Sequence, residues 1–253
     1  MSSKHWLRAI TAAALLGGFL AIAATTARAD SVLNRGMGAS PDTLDPQLLF
    51  GAREGWIQDD QYEGLVVIDG TGKILPAAAE SWDIADDGKT WTFHLRAGLK
   101  WSNGDPLVAQ DFVNGAIRTI DPAIASSKAY YFSGPFQVEG AKAFTAGENK
   151  DPKSVGIGAP DDRTLVIKLL TPAPNMLYLM GSFVMPPLHK ASLDKFGPDF
   201  IKPENIVTNG AYVMSENVPQ SHVTLVKNPN YYVKGQPYLD EIYWHVIPDA
   251  AAR

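Results

Sequence analysis

Apolar positions recur along this chain with two periods, and each period names an element. In Thr90–Leu95, Trp91, Phe93 and Leu95 alternate with polar residues, which is the pattern of a half-buried strand. From Ala109 to Ile120 the spacing widens to four. Val108, Phe112, Ala116 and Ile120 share one side, with Val113 and Ile117 beside them, as on an amphipathic helix. Asp121-Pro122 ends that helix, because proline disfavours helical backbone in the residue before it. Shorter runs predict strands at 31–36, 66–68, 211–214, 223–226 and 242–247, and a hairpin of 155–158 with 165–169 turning over Asp161-Asp162. Residues 55–65 read as a helix on which Trp56, Tyr62 and Leu65 share a side, and 138–144, 176–180 and 191–196 as shorter helices. Residues 76–82 read as a packed segment, 42–46 as a turn and 147–154 as a polar loop. Strands and helices mix without strict alternation, repeats or low-complexity linkers. The fold class expected is α+β, or mixed α/β.

The first residues follow another logic. Lys4 and Arg8 precede an uncharged apolar run over 9–24, and Ala27-Arg28-Ala29 supplies a small-x-small site. That is the layout of a secretory leader cleaved after Ala29. The run is short for a bilayer span of about 20 residues and is broken at Gly17-Gly18. Net charge over the whole chain is −5, and the leader holds Lys4, Arg8 and Arg28 with no acid. Removing those charges takes −5 to −8, an acidic surface that argues against nucleic acid and anionic membrane as partners.

Candidate chemistry is sparse. The chain has no cysteine, which excludes thiol nucleophiles and cysteine-ligated metals. Gly36-Met37-Gly38 lacks the third glycine of a dinucleotide loop, and Gly70-Thr71-Gly72-Lys73 lacks phosphate-loop spacing. His94, His189, His222 and His245 lie far apart, and Ser182 has no nucleophile-elbow pattern around it. The pairs Asp86-Asp87 and Asp161-Asp162 fit turn chemistry. No enzyme and no cofactor are expected. Aromatic residues are plentiful, and a few of them are candidates for the wall of a ligand cleft.

Several blocks in order resemble a known family. They include Pro76-Ala77-Ala78-Ala79-Glu80-Ser81-Trp82, Trp91-Thr92-Phe93-His94-Leu95-Arg96 and Lys100-Trp101-Ser102-Asn103-Gly104-Asp105-Pro106. Asn205-Ile206-Val207-Thr208-Asn209-Gly210-Ala211-Tyr212 and Asn228-Pro229-Asn230-Tyr231-Tyr232 follow. Together they are similar to the family 5 extracellular solute-binding proteins, and most of all to the oligopeptide-binding type. The resemblance implies the ligand-capturing part of an ABC importer, with peptides as ligand, the membrane permease as partner, a periplasmic location and a monomeric state. It implies a clamp of two lobes. In the first lobe, 30–62 plus 187–253 form one subdomain and 63–186 an inserted one. Members are about twice as long, so the second lobe is expected to be absent here, and ligand binding by the chain alone to be poor.

The resemblance also implies that ligand backbone lies along residues 49–53, as an added strand does. The candidate binding residues are Phe50, Gly51, Ala52, Lys128 and Tyr131. Glycine at 51 lets a backbone approach closely, Phe50 offers an apolar wall, and Lys128 offers a cation to a carboxylate. Peptide binders often carry an acid at the position of Phe50 and a tyrosine at that of Lys128. These departures leave a non-peptide solute open: a nickel complex, haem, an oligosaccharide or an opine. The leader generates the first testable expectation. Amino-terminal sequencing of exported protein should read from Asp30, and a membrane-bound chain retaining Met1 would rule that out.

Overall fold

A computed structural model describes residues 31–49, 51–180 and 184–249. The expected leader and Phe50 lie outside the described residues. The architecture is α+β, built on two four-stranded sheets and a small ribbon. The first sheet joins β1 (Val32–Met37) to three late strands, β8 (Tyr212–Val218), β9 (His222–Lys227) and β10 (Glu241–Val246). Its order is β1-β10-β9-β8. The β1 strand runs parallel to β10, with Val32 opposite Glu241 and Met37 opposite Val246. A parallel pair needs a long crossover, and here nearly the whole chain lies between the partners.

The second sheet comes wholly from that crossover. It has the order β4-β5-β7-β6, with β4 (Ala79–Ile84), β5 (Thr90–Leu95), β6 (Ile157–Asp161) and β7 (Thr164–Lys168) all antiparallel. The ribbon pairs β2 (Val66–Ile68) with β3 (Ile74–Pro76). The alternation in β5 is borne out, since Trp91, Phe93 and Leu95 are buried while Thr92 and His94 stay partly open. Across the β6–β7 turn the Arg163 N–H donates to Asp161 Oδ1 at 2.8 Å, the turn chemistry expected of that acid.

Among the described residues six α-helices accompany the sheets: α1 (Ala52–Gln61), α2 (Ala109–Ile120), α3 (Ala129–Ser133), α4 (Ala141–Thr145), α5 (Met176–Met180) and α6 (Lys190–Phe196). The α2 helix has the limits its periodicity predicts, and Phe112, Ala116 and Ile120 are fully buried. Its amino end is held by Asp111, which accepts from the Val108 N–H at 3.1 Å and from Trp101 Nε1 at 3.0 Å. Buried apolar residues fall into two clusters. The larger packs α2 to α5 on the second sheet, and the smaller packs Ile57 of α1 against Leu225, Ile242 and Trp244 of the first.

Three readings need correction. The helix expected over 55–65 begins at Ala52 and ends at Gln61, and Tyr62 is extended. Asn209 causes the break: its side chain accepts from the Glu63 N–H at 3.1 Å and donates to the Glu63 carbonyl at 2.8 Å. Trp56 faces solvent while Tyr62 and Leu65 are buried, so the three do not share a side. Residues 79–84, within the segment read as merely packed, form β4. Val138 bridges to Leu169 instead of starting a helix, and α4 begins only at Ala141. Trp91→Ala should destabilise the protein by about 3–5 kcal/mol, the usual cost of emptying a buried aromatic site. A urea melt shifted by less than about 1 kcal/mol would mean that the face is not core.

Candidate functional site

The stretch that leads into the expected ligand segment is held by side chains from distant parts of the chain. Within it the chain turns at Asp45, whose carbonyl accepts from the Leu48 and Leu49 N–H groups, both at 2.9 Å. Three side chains from α2 and the loop after it then grip three consecutive residues. Arg118, in the last turn of α2, donates to both oxygens of Asp45 at 2.6 Å each and to Gln47 Oε1 at 2.8 Å. Ser126 Oγ donates to the Gln47 carbonyl at 2.5 Å. Lys128 Nζ donates to the Pro46 carbonyl at 2.7 Å and to Gln58 Oε1 on α1 at 3.1 Å. A fork of two short bonds between guanidinium and carboxylate is the strong form of this contact. Both partners are nearly buried, with 13% and 7% of their side chains open.

Lys128 therefore does not stand on an open surface as expected. It is fully buried. Burial pushes its ammonium down to about 7, against the opposing pull of the Asp45 and Asp59 carboxylates. The charge expected to meet a ligand carboxylate is spent inside the protein, on a carbonyl and an amide oxygen.

Gly51 caps α1 with φ 150° and ψ 159°, a backbone region that side chains rarely enter. A Cβ at that position would meet Glu54 Oε2 at 2.5 Å. The glycine is thus required by its own turn, whatever approaches from outside. Ala52 is exposed at the start of α1, whose amino end has no side-chain cap. Tyr131 is half-buried and packs on the larger core, whereas Tyr130, set edge-on to it at 5.8 Å, is the ring facing solvent. Gly51 and Ala52 thus lie at one end of α1, Lys128 beneath the segment, and Tyr131 against the core. Sequence reading missed Asp45, Arg118, Ser126 and Gln58. The Asp45-Pro46 turn was its one visible trace, since no local pattern links partners 70 to 82 residues apart.

The motif blocks have a different job. The Ser102 N–H donates to the Thr208 carbonyl at 2.8 Å, the Thr208 N–H to Ser102 Oγ at 3.1 Å, and Asn230 Nδ2 to the Ser102 carbonyl at 2.9 Å. The Tyr231 hydroxyl donates to Glu63 at 2.6 Å. Burial raises the Glu63 carboxyl. These bonds join the loop after β5 and the stretch before β2 to the loops flanking β8 and β9. Among the described residues, no three His, Cys, Asp or Glu side chains are placed to hold a metal, and no helix is long and apolar enough to cross a membrane.

The same fold occurs in part of solved periplasmic binding proteins. The Haemophilus influenzae oligopeptide-binding protein OppA, in complex with the peptide RPPGFSPFR, superposes with a TM-score of 0.84 at 35% identity, over 88% of this chain and 43% of that one. The unliganded open form of the murein tripeptide-binding protein MppA gives 0.83 at 33% identity, over 88% and 42%. Among curated Escherichia coli K12 proteins, a probable deoxycholate-binding periplasmic protein is 39% identical over 226 residues, 89% of this chain and 42% of its own length. The periplasmic oligopeptide-binding protein OppA is 37% identical over 235 residues, 91% and 43%. Residues 73–253 match the pattern of the bacterial extracellular solute-binding proteins, family 5, middle region. The chain belongs to that family, whose members bind solutes and are not enzymes. It spans 42–43% of the length of those two relatives.

The buried lysine makes a testable claim. Its folded pKa of about 7 lies below the roughly 10.4 of an unfolded chain, so between these values the unfolded state holds more proton. Stability then rises with pH through that window, and the penalty is full below it. Relative to Lys128→Met, the parent protein should gain about 2 kcal/mol between pH 7 and 9 by this linkage. Parallel denaturation curves across that range would refute it.

Proposed function

We propose that this chain is the first lobe of the substrate-binding component of an ABC importer. It captures peptides in the periplasm, after loss of its leader, and hands them to a membrane permease. The observation that carries the reading is the anchored stretch from Asp45 to Gln47, which leads into the expected ligand segment. That stretch is held by Arg118, Ser126 and Lys128. At the start of α1 the N-cap is Gly51, which supplies no side-chain cap to the first-turn amides, and such amides are donors for ligand carbonyls. Relatives named for peptide binding support it. The first sheet with α1 fits the subdomain of 30–62 plus 187–253, and the second sheet fits the inserted subdomain of 63–186. The protein acts as a monomer, without nucleic acid.

A second reading has one specific support. The relative named for deoxycholate shows that a similar sequence is assigned an amphipathic, non-peptide acid. Mass spectrometry of molecules carried through purification separates the two readings, with peptides of mixed sequence expected. Gly51→Ala should weaken peptide binding at least about tenfold, or 1.4 kcal/mol, by forcing the turn out of shape. Unchanged peptide affinity in calorimetry would overturn the role of the Gly51 turn, and a bile acid as the sole carried ligand would overturn the peptide reading.

A further inference from the structure

We propose that Trp56 is a stacking subsite for an aromatic side chain of the bound peptide. The inference rests on the peptide reading above and adds a preference to it. Trp56 lies four residues after Ala52 on α1, and residues so spaced are neighbours on one helix face. That face is the open one: Ala52, Trp56 and Asp59 are exposed, while Ile57, Gln58 and Gln61 are buried behind them. Four residues of helix rise about 6 Å, roughly the reach of two residues of extended peptide at about 3.3 Å each. A peptide whose backbone ends its contact at Gly51 and Ala52 thus brings its next side chains over Trp56.

The exposure of Trp56 is unusual within this protein. Trp91, Trp101 and Trp244 are 2%, 1% and 1% exposed, whereas Trp56 keeps 45% of its surface open. It is nonetheless held in place. Its ring lies parallel to that of Trp244, at 7° between planes and 6.2 Å between centroids, an offset stack. Trp244 is fixed in turn: its Nε1 donates to Asp60 Oδ2 at 3.3 Å, and the Arg35 guanidinium sits 4.0 Å over its ring. Arg35 also pairs with Asp60 at 3.6 Å. A flat apolar ring already ordered loses little freedom when a second ring settles on it, which is how preorganised aromatics gain affinity. An aliphatic residue would cover Trp244 as well, so shielding alone does not call for a ring at position 56.

The test uses two probes, the tripeptides Ala-Phe-Ala and Ala-Ser-Ala, titrated into the 15N-labelled chain and followed by NMR, which reads weak binding. Trp56→Leu identifies the Trp56 indole signal among those of the other tryptophans. Ala-Phe-Ala should shift that signal and bind roughly three- to tenfold tighter than Ala-Ser-Ala, the range for an aromatic pair. The ratio should fall to about one in Trp56→Leu and persist in Trp56→Phe. If the amides of Gly51 and Ala52 shift with both peptides but the Trp56 signal stays still, or the ratio survives in Trp56→Leu, the subsite is wrong and the peptide reading stands. If neither peptide moves those amides, while deoxycholate does, the peptide reading fails and takes the subsite with it.

Discussion

The paired bonds between Arg118 and Asp45 hold the candidate site together, because they are the strongest of the contacts that join the stretch at 45–47 to α2. Asp45 belongs to the stretch entering the ligand segment, and Arg118 to a helix whose other face is buried in the larger core. The pair is nearly out of water, where its two short bonds are strong and an unpaired partner would be costly. Ser126 and Lys128 depend on it, since both reach the same stretch from the loop that begins where α2 ends. Remove the guanidinium, and a buried carboxylate faces Gln47 and a buried ammonium with no fork to fix the register.

A second constraint decides where α1 stops. Helix propensity alone would carry the helix past Gln61, but Asn209 claims both backbone groups of Glu63. Two good hydrogen bonds to a side chain replace the ones a further turn would make. The cost is small and the gain is positional. The extended stretch feeds the ribbon and the second sheet, while Glu63 receives Tyr231. The blocks that mark the family, from Trp101 to Asp105 and from Thr208 to Tyr231, serve this joint and not the candidate ligand surface. They fasten one part of the chain to another.

Elements that obey a local period were legible before any coordinates. The alternating strand and the amphipathic helix hold because burial of one face follows directly from spacing, and Phe93 and Phe112 are fully buried as that spacing demands. Asp121-Pro122 stops α2 for a reason carried in its own covalent geometry. The turn at Asp161 is equally local, with its side chain bonding two residues on. The family blocks, too, were readable as a series. Gly51 could be picked out, though its necessity comes from a turn and a neighbouring carboxylate that only coordinates reveal.

The candidate site was another matter, and Lys128 shows why. A lysine in a loop reads as a solvated charge, and this one was expected to meet a ligand carboxylate, yet it is fully buried. Its partners Pro46 and Gln58 lie 82 and 70 residues away. Trp56 inverts the error: a tryptophan reads as core, but its side of α1 was settled by where the helix begins and by the stack on Trp244. By itself the sequence determined the elements that repeat with a period, the turns, the absence of thiol chemistry and the family. The tertiary structure decided which charges go inside, which aromatic ring stays out, and which residues join α2 to the candidate ligand segment. Periodicity and turn chemistry act within a few residues. Burial and pairing of single polar groups depend on what distant parts of the chain bring to them.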